Sequence, residues 1–290
     1  MRSYVILLIA VVTGYWQRPH HFAKRLQWST TGFHWHDVAG LSTTAPSSQS
    51  NFYNTSFAAI KHASSSQLNQ DIHISEYFNG KRHGFFIDLA ANHFRELSNT
   101  YFLEQQYDWN GICIEPNPTY FNGILEHRKC ILVTNPISEY SSKNVSFNMN
   151  NVYGGIVAPE QDNKVSSGSQ VLTSVTLNAI LLRLHAPPII EYFSLDVEGG
   201  EFDVLKHFDF GMFTFLFLGI ERPQANTHNL LVKHGYWFMR ELGNFGEEFY
   251  IHSSMDRFDE LMMQYKSTRE EGPWGRSRSY LHHPVYVSPK

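Results

Sequence analysis

The chain has 290 residues, a formal net charge of -4, 42% hydrophobic residues and 17% charged residues. This length and apolar content are enough for one domain with a sizeable core and some appended segments. The weakly acidic balance offers no basic surface of the kind that nucleic-acid recognition needs, so nucleic acid is excluded as an expected partner.

The first sixteen residues form a candidate signal peptide or signal anchor. The apolar run from Tyr4 to Val12 has the length of a signal-peptide core and is too short to span a bilayer comfortably. We expect entry into the secretory pathway, as a secreted or an ER or Golgi membrane protein, with membrane association through this segment. Arg18, Lys24 and Arg25 follow the run, and positive charge there opposes export, so an organelle transit peptide is the alternative.

Residues 17–70 are rich in Ser, Thr and His and show no sustained hydrophobic period. This composition predicts a disordered linker. His34 and His36 lack further ligands at a recognisable metal-site spacing, which favours exposed polar histidines. Asn54 and Asn144 each begin an N-glycosylation triplet.

Two apolar runs, Phe85–Leu89 and Gly111–Ile114, predict buried parallel strands, and the spacing from Arg95 to Tyr107 predicts a helix between them. Glu115 closes the second strand at about the distance from the first turn at which an acidic residue reaches a ribose hydroxyl. No G-x-G-x-x-G motif accompanies the first strand, which disfavours a pyrophosphate ligand and favours a ribose ligand without phosphate, such as S-adenosylmethionine. Ala90 and Ala91 allow close passage of the chain, although alanine does not take a positive φ as cheaply as glycine.

Alternating helices and strands continue to the end of the predicted domain. Cys113 and Cys130 fall on neighbouring predicted strands, where buried free thiols are expected rather than a bridge. Residues 161–169 form a polar loop that suits a flap over the site. The other predicted elements are a helix over 118–128, a strand over 130–134, a hairpin of 145–149 with 152–157, a helix over 175–184, strands over 189–196, 215–221, 236–239 and 249–252, and a helix over 258–265.

A second acidic stretch, Asp196-Val197-Glu198-Gly199-Gly200-Glu201, follows the strand over 189–196. Carboxylates at the carboxyl end of a central strand lie where open α/β sheets bind ligands. Asp196 and Glu198 are therefore candidate catalytic residues. Glu201 has a second interpretation, since an acidic side chain also favours a helix N-terminus electrostatically.

The blocks Phe-Ile-Asp-Leu-Ala-Ala-Asn, Leu-Ser-Asn-Thr, Trp-Asn-Gly-Ile-Cys-Ile-Glu-Pro-Asn-Pro and Tyr-Phe-Ser-Leu-Asp-Val-Glu-Gly-Gly-Glu occur in this order. Together they resemble the FkbM-type methyltransferase family, over about residues 72–252. The resemblance implies a class I, Rossmann-like α/β fold with a mostly parallel sheet of six or seven strands and helices on both faces. It also implies methyl transfer from S-adenosylmethionine, usually to a hydroxyl oxygen. His93-Phe94 stand where the family usually has a glycine or a second carboxylate.

On this hypothesis Asp88 and Asn92 line the methionine end of the cofactor and Glu115 holds the ribose. Asp196 or Glu198 lies beside the transferred methyl group as a base or an acceptor anchor, and His93 is a further candidate base. No resident metal is expected. The full set of expected cofactor-binding residues is Asp88, Ala90, Asn92, Asn99, Glu115 and Pro116.

We therefore expect a methyltransferase domain over residues 71–254 and a C-terminal tail over 255–290. The acceptor is a small molecule, a glycan or a lipid, contacted by the loops 144–169 and 223–229. One alternative is a secretory-pathway glycosyltransferase, in which Asp196 and Glu198 hold a divalent metal and a nucleotide diphosphate. Another is a catalytically inactive binding domain with the same fold.

Overall fold

The computed structural model describes residues 24–29, 32–37, 64–159, 161–243 and 246–268. Within these residues the strands are β1 (Lys24–Ser29), β2 (Gly32–Asp37), β3 (Phe85–Leu89), β4 (Asn110–Ile114), β5 (Ile131–Val133), β6 (Asn144–Asn148), β7 (Gly155–Ile156), β8 (Ser169–Thr173), β9 (Ile189–Leu195), β10 (Thr214–Glu221), β11 (Tyr236–Leu242) and β12 (Glu247–His252). The α-helices are α1 (Gln70–Tyr77), α2 (Tyr101–Tyr107), α3 (Phe121–His127), α4 (Leu177–Arg183), α5 (Glu201–Leu205), α6 (Ala225–Lys233) and α7 (Phe258–Thr268). Short 3-10 turns span Pro118–Tyr120 and Asn151–Tyr153.

Nine strands form one sheet in the order β11-β12-β10-β9-β3-β4-β5-β1-β2. The strands from β10 to β1 in this order are parallel to one another, and β12 and β2 run antiparallel to their neighbours. The mostly parallel α/β fold is thus confirmed. The expected count of six or seven strands is too low, because seven strands of this sheet follow residue 84 and a hairpin before it adds two more.

Each face of the sheet carries its own hydrophobic core. The first core contains Leu89, Ile114 and Leu195 from the strands and is covered by α4, α5 and α6. The second contains residues of α1, α2, α3 and α7 against the other side. Neighbouring residues of a strand point to opposite faces, so each strand here is buried on both sides, which explains its almost uniformly apolar sequence.

The hairpin β1–β2 lies inside the stretch that was predicted to be a linker. β1 pairs in parallel with β5, with Arg25 opposite Leu132 and Leu26 opposite Val133, and Leu26 is fully buried. The expectation of disorder is wrong for these twelve residues. Their alternation is too short to stand out from a polar segment, and the hairpin gains its stability from the edge of β5, which it covers. The predicted signal segment, Asn54 and the linker residues 17–23, 30–31 and 38–63 lie outside the described residues. The end of the predicted linker, residues 64–70, is described: the Ser64 and Ser66 hydroxyls donate to the Asp71 carboxylate and Gln70 begins α1, so the expectation of disorder is wrong there as well.

Cys113 and Cys130 form a disulfide bond, so the expectation of free thiols is wrong. Cys113 lies within β4, whereas Cys130 precedes β5 and is not constrained by strand pairing. The two Cα atoms are 5.7 Å apart, which is within the range that a disulfide spans. Both residues are buried in the second core.

A separate three-stranded sheet, in the order β7-β6-β8, stands beside the carboxyl ends of the large sheet. The predicted hairpin is confirmed as β6 and β7, joined through the turn Asn151–Tyr153. β8 was not predicted, because its sequence is polar and half exposed. The predicted helix after residue 175 is confirmed as α4, and the Thr176 side chain caps it by accepting a hydrogen bond from the Ala179 N–H.

Two element boundaries differ from the sequence-based expectation. The first is the helix expected to begin near Arg95, because α2 begins only at Tyr101 and Leu97 is half exposed with φ 60°. The second is the end of the domain, since Phe258 and Leu261 of α7 are buried in the second core. The folded part therefore continues past residue 254. No helix among the described residues is long and apolar enough to cross a membrane.

Candidate active site

A cleft opens where the carboxyl ends of β3, β4 and β9 meet the small sheet. Its volume is about 420 Å³, part of it open to solvent. Its walls are mostly apolar, which is typical of sites that hold small organic ligands. The lining residues are Leu89, Ala90, Ile114, Pro116, Pro136, Ile137, Phe147, Gly154, Gly155, Ile156, Gln161, Val197 and Gly200.

The first turn brings the chain into this cleft in a left-handed conformation. Ala90 has φ 69° and Asn92 has φ 50°, and the Ala90 and Ala91 N–H groups both donate to the Ile114 carbonyl, at 3.0 and 3.2 Å. Ala90 therefore takes the positive φ that alanine adopts less readily than glycine. The two hydrogen bonds across to β4 hold alanine in a conformation that normally favours glycine.

Glu115 ties the ends of β3 and β4 together. It is 3% exposed; one carboxylate oxygen accepts the Asn92 N–H at 2.8 Å and the other accepts the Asn117 N–H at 2.7 Å. Burial raises the pKa of Glu115 to about 7, despite these two hydrogen bonds, which lower it. Each oxygen retains a second lone pair, so the carboxylate can still accept hydrogen bonds from ligand hydroxyls.

Asp88 does not line the cleft. It points to the second face of the sheet, where its carboxylate accepts a hydrogen bond from the Thr100 hydroxyl at 2.5 Å. Arg128 also donates to this hydroxyl and forms a buried ion pair with Glu104 at 3.1 Å. Burial raises the pKa of Asp88, and the Arg128 charge opposes that effect. The expectation that Asp88 lines the methionine end of the cofactor is therefore wrong. Side chains alternate along β3, so Leu89 faces the cleft and Asp88 faces the internal network on the other side of the sheet.

Asn99 lies next to the same network, on the side away from the cleft lining. Its Nδ2 donates to the Ser194 hydroxyl at 3.0 Å, whereas its Oδ1 is buried without a hydrogen-bond partner among the described residues. The Asn92 side chain is turned back on its own turn, where Nδ2 donates to the Ala90 carbonyl at 3.0 Å. Pro116 and Ala90 line the cleft as expected.

The loop after β9 gathers carboxylates at the rim of the cleft. Ligand-capable oxygens of Asp196, Glu198 and Glu221 lie within 4.8 Å of one another. Burial raises the pKa of Asp196 well above its usual value, and the nearby charge of Glu221 adds to this effect. Asp196 Oδ1 is buried and has no hydrogen-bond partner among the described residues. Glu221 was not among the predicted site residues, although it ends an apolar strand in the same way as Glu115 and Asp196.

Glu201 stabilises the loop rather than the cleft. One of its carboxylate oxygens accepts the Val197 N–H at 3.3 Å and the Gly199 N–H at 3.1 Å. Its side chain is almost fully buried, which raises its pKa to about 7. This favours the interpretation of Glu201 as a residue that shapes the helix N-terminus.

The sequence was compared with models of known protein families. The model of the methyltransferase FkbM domain matches residues 80–242, more than half of the chain. The chain belongs to the FkbM methyltransferase family. No curated protein and no solved structure matches the chain.

A covering segment, residues 161–163, closes over the acidic loop of the FkbM domain. The Asp162 N–H donates to the Glu198 carbonyl at 3.0 Å, and the Asp162 carboxylate pairs with Arg222 at 3.0 Å. Gly199 permits this contact, because a Cβ there would lie 3.2 Å from the Asp162 nitrogen and the residue has φ 95°. The expected flap is thus present at its first residues, and Gln161 contributes to the wall of the cleft.

Arg222 provides positive charge to the acidic loop. It pairs with Glu198 at 2.7 Å and with Glu221 at 3.0 Å, in addition to Asp162. A divalent cation bound by Asp196, Glu198 and Glu221 would share two of its ligands with this guanidinium. In this structure two of the three carboxylates that the glycosyltransferase alternative would use to bind a metal are therefore paired with Arg222.

His93 lies in the first turn but is engaged locally. Its Nδ1 accepts the N–H groups of Arg95 at 3.3 Å and Glu96 at 2.9 Å, and its ring packs on Phe94. No hydrogen bond or ion pair joins it to Asp196 or Glu198 within the described part of the FkbM domain. The structure therefore does not bring this candidate base together with the other two.

Proposed function

We propose that this protein is an S-adenosylmethionine-dependent methyltransferase that methylates a hydroxyl oxygen of a small molecule, glycan or lipid. The observation that carries the proposal is the apolar cleft at the carboxyl edge of the sheet. Glu115 lies between the lining residues Ile114 and Pro116, and Asp196 directly precedes the lining residue Val197. Membership of the FkbM family supports methyl transfer at the level of the family.

The residues around the cleft fit this cofactor. Their mostly apolar side chains are typical of sites that hold small organic ligands. Glu115 offers its free lone pairs to the ribose hydroxyls, and Pro116 offers an apolar surface next to them. When bound, the cofactor supplies a methyl group that is already activated on a sulfonium.

The chain itself has to orient the acceptor, exclude water and remove one proton. Asp196 is suited to the last task, since its Oδ1 is buried without a hydrogen-bond partner among the described residues. Its raised pKa makes its carboxylate a stronger base than an exposed aspartate. On this proposal the acceptor hydroxyl transfers its proton to Asp196 Oδ1, and Glu198, held by Arg222, anchors the acceptor.

Calorimetry of the purified protein tests the proposal. We expect S-adenosylhomocysteine to bind in the micromolar to submillimolar range without added metal, and Asp196→Asn to retain this binding while losing methyl transfer. UDP with manganese is the competing ligand, because it would be bound by a glycosyltransferase. Binding of UDP with manganese but not of S-adenosylhomocysteine would establish the alternative enzyme. Binding of neither would leave the inactive binding domain as the better description.

We also propose that the protein works in an oxidising compartment of the secretory pathway. The buried bridge between Cys113 and Cys130 supports this, because such bonds persist where thiols are not kept reduced. Asn144 is exposed at the start of β6, where its glycosylation triplet is accessible. Mass analysis of protein from a secreting host should show the bridge and a glycan on Asn144. Two free thiols in that material would contradict the proposal.

A further inference from the structure

Glu221 is a carboxylate at the rim of the cleft to which the proposed function gives no task. It ends β10, and the parallel pairing of β10 with β9 places it beside Asp196, since Ile220 lies opposite Leu195. One oxygen of its carboxylate lies within 4.8 Å of oxygens of both Asp196 and Glu198. Three carboxylates therefore crowd the part of the site where the proposed function places the transferred methyl group.

One guanidinium group serves most of these carboxylates. One Arg222 nitrogen pairs with Glu198 at 2.7 Å and with Glu221 at 3.0 Å, and another pairs with Asp162 at 3.0 Å. Asp196 has no ion pair among the described residues, and its Oδ1 is buried without a hydrogen-bond donor there. Burial and the charge of Glu221 together raise the pKa of Asp196. The negative charges therefore repel one another where little water screens them.

The carboxylates border the cleft through the loop after β9. Val197 and Gly200 line the cleft, and Asp196 and Glu198 flank Val197 in the chain. Glu198 also packs on the lining residue Gly155, since a Cβ on that glycine would lie 3.5 Å from the Glu198 Cβ. A positive charge on a ligand at this end of the cleft would lie near the three carboxylates and would offset their repulsion.

The cofactor of the proposed function and its product differ in charge at this position. The sulfur of S-adenosylmethionine carries one positive charge, whereas the sulfur of S-adenosylhomocysteine is neutral. We infer that Glu221, acting with Asp196 and Glu198, makes the site bind the positively charged cofactor in preference to the neutral product. This inference rests on the proposed function. Glu221 is then a specificity residue for the charge of the ligand, and Arg222 limits the preference.

Calorimetry near neutral pH with S-adenosylhomocysteine and sinefungin tests this inference. Sinefungin carries an ammonium group where S-adenosylmethionine carries its methylated sulfur, so the two ligands differ mainly in charge and neither donates a methyl group. The wild-type protein should bind sinefungin at least about 10-fold more tightly than S-adenosylhomocysteine. Glu221→Gln keeps the shape of the side chain and should lower this ratio of affinities about 5-fold, whereas Arg222→Gln should raise it about 5-fold. Glu126→Gln, at an exposed position of α3, is the matched control and should leave the ratio unchanged.

The ratio separates charge recognition from a structural role, because a loosened site would weaken the binding of both ligands alike. The wild-type comparison requires no variant, so a folding defect in a variant does not rescue the inference. Equal affinity of the wild type for both ligands, or tighter binding of S-adenosylhomocysteine, would overturn it and would leave the proposed function intact. An unchanged ratio in Glu221→Gln would also overturn it. A wild-type protein that binds neither ligand would remove the proposed function and this inference with it.

Discussion

The buried carboxyl of Glu115 makes a quantitative prediction about stability and pH. Its pKa is about 7 in the folded protein, against an ordinary value of 4.5, because it is almost completely desolvated. Between pH 4.5 and 7 the folded chain therefore binds more protons at this residue than the unfolded chain does. Stability contributed by this group is present below pH 4.5 and is lost as the pH rises towards 7.

Glu115→Gln removes this loss, since the amide imitates the protonated acid at every pH. A change of 1 in pKa corresponds to about 1.4 kcal/mol. The change in the pKa of Glu115 from 4.5 to about 7 therefore corresponds to about 3 kcal/mol of lost stability. The amide also sets an N–H group against the Asn92 or Asn117 N–H, which adds a cost that does not vary with pH. We expect the stability of the variant relative to the wild type to improve by about 3 kcal/mol between pH 4.5 and 8.

Urea unfolding at half-unit pH intervals measures this difference without ligand present. Glu201 and Glu247 also have raised pKa values, about 7 and about 8, and burial raises the pKa of Asp88 and Asp196 as well, so the wild-type curve alone mixes several groups. Subtracting the variant from the wild type isolates Glu115. Glu96→Gln, at an exposed site, controls for loss of a carboxylate. Parallel curves for Glu115→Gln and wild type over this pH range would refute the reasoning.

Three further predictions concern the frame of the site. Cys113 and Cys130 are 17 residues apart, so loop entropy predicts that reduction or the double alanine variant lowers the free energy of unfolding by about 3 kcal/mol. A reductant that breaks the bond without moving the urea midpoint would contradict this. Ala90→Gly should raise stability by up to about 1 kcal/mol, because relief of the positive φ exceeds the added freedom of the unfolded chain. A fall in melting temperature would count against this prediction. Deleting residues 1–23 should leave the melting temperature unchanged, whereas deleting 1–63 should lower it, since the buried Leu26 and the cover over β5 are lost. Equal melting temperatures for the two truncations would show that the hairpin does not contribute.

The order of the central elements was predictable from the sequence alone. Phe85–Leu89 and Ile189–Leu195 are short and largely apolar, which is typical of strands buried between two helical layers. The acidic residues that end the strands could be placed for the same reason, because parallel strands deliver their carboxyl ends to one edge. Glu115 and Asp196 were placed at this edge in this way.

Other features of the fold depend on contacts between segments that are far apart in the sequence. β1 and β2 are strands only because β5 offers an open edge, and that edge is about 100 residues away in sequence. The bridge between Cys113 and Cys130 depends on where the chain enters β5, which no local pattern records.

The direction of individual side chains was also decided by the tertiary structure. Asp88 belongs to an apolar strand whose two faces look alike in sequence, so its turn away from the cleft follows from the register with β4 and β9. Gln161 lies in a polar loop with no period, and it becomes part of the cleft because Gly199 and Gly200 let that loop approach. The sequence determined which residue types reach the sheet edge, and packing determined which of them face the cleft.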